Sequence, residues 1–156
     1  MKPRLYVETS IVSYLTAYPS RDLVRAAHQQ VTRDWWTTRS RYDLFLSEFV
    51  IDEASKGVQI AAAERLVALR DLAMLNTTDA AVSLAMELVR VGDLPKKAIV
   101  DAFHIGVAAV RGMDYLLSWN CRHIANATMR GRIEATCRTH GVEPPTICTP
   151  IEFIEE

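Results

Sequence analysis

The chain has 156 residues, 49% of them hydrophobic and 24% charged, with a formal net charge of −1. This is the balance of an ordinary globular chain, long enough to bury roughly two-thirds of its unfolded surface, and it argues against a protein that coats nucleic acid through charge alone. No apolar run approaches the roughly 20 residues of a membrane span, and Cys121, Cys137 and Cys148 form no CxxC pair, which argues against a zinc site or a disulfide framework.

Met1-Lys2-Pro3-Arg4 leads straight into an apolar segment rather than a signal peptide, so a cytoplasmic protein is expected. Residues 4–7 read as a short buried strand ending at Glu8. Thr9 or Ser10 then caps a short helix through Ile11, Val12, Tyr14 and Leu15. Ser20 is the expected cap of a longer helix reaching about Arg39. Residues 43–47 form a second apolar strand, followed by a helix from about Glu48 to Lys56 that Gly57 closes. Another helix covers 60–70, and a brief strand 73–76. Thr78 caps a helix through Val91, ended by Gly92.

The helix expected over about 96–111 breaks the usual rule for a buried element. Pro95 suits its first turn. Ala98, Ala102, Ile105 and Ala109 line one side while Val100, Phe103, Val107 and Val110 line the other. A helix apolar all round is normally covered on most of its surface, yet Asp101 and His104 sit one turn apart on it. A carboxylate in such surroundings is costly unless something pairs with it. Residues 115–119 follow as a fourth strand, then a helix over about 121–139, a possible fifth strand at 146–148, and a turn opened by Pro150.

Strands alternating with helices imply βαβ units and a parallel sheet covered on both faces. The expectation is one α/β domain over residues 1–156, three-layered, with four or five parallel strands. In such sheets chemistry collects beyond the carboxyl ends of the strands. Glu8 ends the first strand, Glu53 lies in the helix after the second, and Asn120 follows the fourth. Asp101 stands near the start of the helix that feeds the fourth strand. Topology therefore draws Glu8, Glu53, Asp101 and Asn120 toward one rim. Carboxylates held together raise one another's pKa, and a divalent cation removes the conflict. Oxygen ligands favour Mg²⁺ or Mn²⁺ over zinc. Such a site suits phosphoryl chemistry, with a cation-activated water as nucleophile.

Four segments carry a resemblance: Tyr6-Val7-Glu8-Thr9-Ser10; Ser47 to Glu53 with Gly57; Lys97 to Ile105, containing Asp101 and His104; and Asp114 to Asn126, containing Asn120 and His123. Together, in this order, they resemble the PIN-domain nucleases, and most closely the VapC-like ribonuclease toxins of toxin–antitoxin pairs. The resemblance covers essentially the whole chain. It implies a PIN-like fold and a metal-dependent endoribonuclease acting on RNA, homodimeric and held inactive by a cognate antitoxin. Carried over by position, Glu8 falls where most of the family has its first metal-binding aspartate. Glu53 falls on the acidic residue after the second strand, and Asp101 on the central aspartate. Asn120 stands where many members have aspartate. Glu8 is one methylene longer than aspartate, so its carboxylate must fold back or shift the cation; Asn120 adds an oxygen without charge.

Plainer roles compete at each position. Asp101 could pair with Lys97 at i−4, Glu53 could be one of several solvated helix carboxylates, and Asn120 could cap the next helix as well as face a metal. His104 and His123 read as hydrogen-bonded structural residues, and His28 and His140 carry no signal. Arg21, Arg25, Arg33, Arg39 and Arg41 are candidates for RNA phosphates or an acidic antitoxin tail, although a solvated helix face explains each one. Trp35 and Trp36 cannot share one buried stripe. No Gly-rich phosphate loop is present. Two rivals remain: a catalytically weak or inactive PIN-fold module that binds RNA or an antitoxin, and, more remotely, a small-molecule phosphohydrolase.

Overall fold

Short apolar runs bounded by turn residues become strands here, most deeply buried in the central one, Arg4–Val7, and least in the edge strand Ala73–Leu75, where Ala73 and Met74 stay exposed. A computed structural model describes residues 1–154. Its strands are β1 (Arg4–Val7), β2 (Asp43–Ser47), β3 (Ala73–Leu75), β4 (Tyr115–Leu117) and β5 (Thr146–Cys148). All pairings are parallel, in the order β3-β2-β1-β4-β5. The helices are α1 (Thr9–Thr16), α2 (Leu23–Trp36), α3 (Glu48–Ala54), α4 (Gln59–Leu69), α5 (Asp79–Arg90), α6 (Ile99–Val110) and α7 (Ala127–Thr139).

The period-2 alternation of strand side chains sends Tyr6, Leu46, Leu116 and Ile147 into one core, shared with residues of α3, α5, α6 and α7. Leu5, Val7, Leu117 and Cys148 enter the other, against Ile11, Trp35 and Trp119. This is a three-layer α/β/α sandwich. Among the described residues no helix is long and apolar enough to cross a membrane.

The strand order reverses beside β1: the chain moves outward through β2 and β3, then returns to set β4 on the other flank of β1. A crevice forms beyond the carboxyl ends of the strands at such a reversal. The segments that follow β1, β2 and β4, and the start of α6, all meet there.

Helix α6 is as covered as its composition demands, with Ala102 and every residue from His104 to Ala109 buried. It reaches that state by close approach to α5. A Cβ built on Gly106 would lie 2.6 Å from the Ala81 carbonyl oxygen, so only glycine lets the two backbones come this near. Gly92, directly after the Val91 cap of α5, has φ 84°, the left-handed conformation that glycine adopts without strain.

Several boundaries differ from the sequence expectation, each for a local hydrogen-bonding reason. Asp22, not Ser20, caps α2: its Oδ1 accepts from Arg25 N at 2.9 Å, while the Ser20 hydroxyl accepts from the Asp22 amide at 3.1 Å. Glu8, not Thr9 or Ser10, caps α1. Pro95 precedes a 3-10 turn, Lys96–Ala98, and the α-helix itself starts at Ile99. Strand β4 stops at Leu117 because the Trp119 amide donates to Ser10 Oγ at 2.7 Å instead of continuing a ladder. The last long helix begins at Ala127 rather than near 121. The Asn120 carbonyl accepts from both Ile124 and Ala125 amides, which winds 121–125 into turns, and Asn126 then caps α7.

Candidate metal centre

Glu8 leaves β1 at the rim and turns back over the first turn of α1. Its Oε2 accepts from the Ser10 amide at 2.8 Å and its Oε1 from the Ser10 hydroxyl at 2.7 Å. Folding back absorbs the extra methylene. Oε1 also accepts from Ser118 Oγ at 2.6 Å, across the gap between β1 and β4. Ser118 Oγ in turn accepts from the Asn120 amide at 2.9 Å. The carboxylate is only 4% exposed, and these three donors are what make its burial tolerable.

Glu53, on the second turn of α3, is half-buried beside it. Thr9 Oγ1 donates to Oε1 at 2.7 Å, and His104 Nε2 meets the same oxygen at 2.6 Å. Burial works to raise the Glu53 carboxyl. The His104 hydrogen bond leads the opposing effects, joined by the Thr9 hydrogen bond and the Lys56 charge, and holds the group below the ordinary glutamate value. His104 is fully buried, and its Nδ1 lies 2.7 Å from the Tyr6 hydroxyl, which lies 2.7 Å from Ser47 Oγ.

Glu8, Glu53 and His104 each offer a ligand atom within 4.8 Å of the other two. Asp101 stands one helical turn before His104, where residues three apart are neighbours on the helix surface. The partner of this partly buried carboxylate is His123, whose Nδ1 is 3.0 Å from Asp101 Oδ2. His123 is placed by Asn120, whose Oδ1 accepts from the His123 amide at 3.1 Å. Of the four expected residues, then, Glu8 and Glu53 share one cluster. Asp101 borders it in contact with His123, and the Asn120 side chain caps the turn that carries His123. Among the described residues, Glu53 and Asp101 contact histidines at hydrogen-bond distance, and neither has an arginine or lysine within ion-pair distance.

The donor set fits a hard divalent cation. Ligand atoms of the Glu8 and Glu53 carboxylates and of the His104 imidazole lie within 4.8 Å of one another, and among the described residues neither carboxylate has a Lys or Arg at ion-pair distance. Carboxylate oxygens of this kind suit Mg²⁺ or Mn²⁺.

A solved structure bears on this arrangement. VapC20 of Mycobacterium tuberculosis, described as a sarcin-ricin loop cleaving toxin, superposes with a TM-score of 0.59 at 18% sequence identity, covering 76% of this chain and 92% of that one. The chain has the VapC-like PIN fold. The likeness is one of fold, since no family model and no curated protein matches the chain in sequence.

On this PIN fold, sequence reasoning left several contributors unassigned. Tyr6 reads as an ordinary core aromatic until its hydroxyl is seen between Ser47 and His104. Ser118 carries no motif of its own. The available signal was polar: a serine closing the second strand and another directly after the fourth, and histidines three residues after Asp101 and after Asn120. Two of the candidate arginines are engaged elsewhere. Arg33 donates to the Ala17 carbonyl, and Arg39 donates to the Trp36 carbonyl while its guanidinium packs 4.7 Å over the Trp36 ring. Trp35 is buried and Trp36 half-buried, dividing the pair as their spacing required.

Proposed function

We propose that this chain is a Mg²⁺- or Mn²⁺-dependent endoribonuclease of the VapC-like toxin kind. The observation that carries the reading is the convergence of the Glu8 and Glu53 carboxylates, bordered by Asp101, at the carboxyl edge of the sheet. Glu8, Glu53 and Asp101 hold the cation in this reading, with Asn120 assisting. When bound, the cation would activate water and offset the charge that develops on the scissile phosphate oxygens.

The chain's own residues supply orientation. Ser10 and Ser118 fix Glu8, Thr9 and His104 fix Glu53, and His123 fixes Asp101. A site whose carboxylates are held before substrate arrives spends less on ordering them in the transition state. The proposed partners are an RNA substrate, a cognate antitoxin and a second copy of the chain, in the cytoplasm.

One observation favours the rival reading of a module without turnover: both oxygens of Glu8 are already engaged by Ser10 and Ser118. A carboxylate has about four lone-pair positions, so three donors do not saturate it. RNA digestion by the purified chain in Mn²⁺, with a chelator control and an Asp101→Asn variant, separates the two. Chelator-sensitive cleavage absent from the variant supports the nuclease; RNA binding without cleavage supports the module.

A further inference from the structure

Tyr6 sits in the middle of β1, fully buried among apolar side chains. Its hydroxyl is out of place there unless it is bonded on both sides, and it is: Ser47 Oγ and His104 Nδ1 each lie 2.7 Å away. His104, also fully buried, reaches Glu53 Oε1 at 2.6 Å. Four side chains from β1, β2, α6 and α3 thus form one line from the dry interior to the rim. Phenylalanine and leucine would fill the first three places without the cost of desolvating polar groups. The line ends on the one member with solvent access, the Glu53 carboxylate, whose side chain is 33% exposed.

A carboxylate accepts, so His104 Nε2–H donates to Glu53; with the imidazole neutral, Nδ1 accepts from the Tyr6 hydroxyl, which in turn accepts from Ser47 Oγ. Both bonds to Glu53, from Thr9 and from His104, fall on Oε1. Among the described residues Oε2 has no hydrogen-bond partner. The carboxyl plane is pinned through one oxygen while the other stays available.

We propose that Ser47, Tyr6 and His104 are positioning residues, a buried strut that locks the rotamer of Glu53 so that Oε2 faces the cation. The inference rests on the metal-centre reading above. It assigns to the core tyrosine and the buried histidine a role in cation affinity that neither residue performs by contact with the ion. Outer partners of ligating side chains typically change metal affinity or activity 10–100-fold when removed.

The test titrates Mn²⁺ alone into the purified full chain by calorimetry, for the unaltered protein and for Tyr6→Phe, His104→Gln, Glu53→Gln and the Tyr6→Phe/Glu53→Gln pair, with thermal melts alongside. Tyr6→Phe keeps the ring and removes only the hydroxyl, so it decides the matter if His104→Gln does not fold. The strut predicts Mn²⁺ binding about tenfold weaker in Tyr6→Phe, and no further weakening when Tyr6→Phe is added to Glu53→Gln. It also predicts a lower kcat on RNA with KM unchanged. A folded Tyr6→Phe variant that binds Mn²⁺ as the unaltered chain does, melting temperature lowered or not, overturns the strut and leaves a merely structural hydroxyl. Loss of affinity in His104→Gln without loss in Tyr6→Phe also overturns it, because His104 would then be a ligand. If the unaltered chain binds no Mn²⁺, the metal-centre reading fails first and takes this inference with it.

Discussion

His123 is the answer to the question that Asp101 poses in the sequence. A carboxylate on a helix this apolar needs a partner, and the partner comes from a loop 22 residues later, placed by the Asn120 side chain. Asn120→Ala removes the acceptor for the His123 amide. It should loosen the histidine and weaken cation binding without disturbing the sheet; unchanged Mn²⁺ affinity in that variant would show that the cap has no bearing on Asp101. The carboxylates themselves were legible because residue type and topology agree on them. The Glu8 cap was not, because serine and threonine at positions 9 and 10 are the residues ordinarily preferred there. Glutamate takes the role only because its longer chain folds back onto Ser10. Tyr6 stayed hidden for a simpler reason: an aromatic residue in a strand is nearly always core, and nothing local reveals a hydroxyl bonded across two other elements.

At the scale of elements, strands and helix types follow from hydrophobic pattern, while boundaries follow from hydrogen bonds that pattern does not encode. The five strands lie where apolar runs placed them, yet β4 ends early because Ser10, more than 100 residues away, captures the Trp119 amide. Asp22 outcompetes Ser20 at the start of α2 by two positions. Removing that cap, Asp22→Ala, should cost about 0.5–2 kcal/mol, read as a lower melting temperature. The α5–α6 packing is more sensitive. Gly106→Ala would drive a methyl to within 2.6 Å of the Ala81 carbonyl, which is backbone and cannot yield by changing rotamer. Overpacking of this kind costs about 1–3 kcal/mol, measurable by chemical denaturation; an unchanged midpoint would mean that the two helices part without strain.

For the whole molecule, buried titratable groups set the pH range of stability. Burial pushes the Cys137 thiol up to about 11 and the Cys148 thiol up to about 12, and raises the Tyr6 phenol well above its ordinary value. Each of these groups holds its proton more tightly folded than unfolded. Their contribution is therefore fully present below the unfolded values, near 9 for the thiols and 10 for the phenol, and is lost as pH rises toward the folded ones. Stability should fall from about pH 9 upward, each group adding a slope of up to about 1.4 kcal/mol per pH unit. Cys137→Ala with Cys148→Ala should flatten that decline, and an identical alkaline profile would show that the thiols are not its source. On the acid side the sign reverses. Glu53, held below the ordinary glutamate value, contributes stability at neutral pH that is lost as pH falls through its folded value.

The three-layer architecture brings ligand atoms of Glu8, Glu53 and His104 within 4.8 Å of one another, with Asp101 one turn before His104 on its helix, and the proposed metal-dependent nuclease rests on that arrangement. The most direct test is cleavage of RNA by the purified protein with Mn²⁺ present, with Mn²⁺ chelated, and with Asp101→Asn in place of the natural residue. Cleavage that needs the cation and disappears in the folded variant is the predicted result. Undiminished cleavage by folded Asp101→Asn, or the same cleavage in excess chelator, would contradict it.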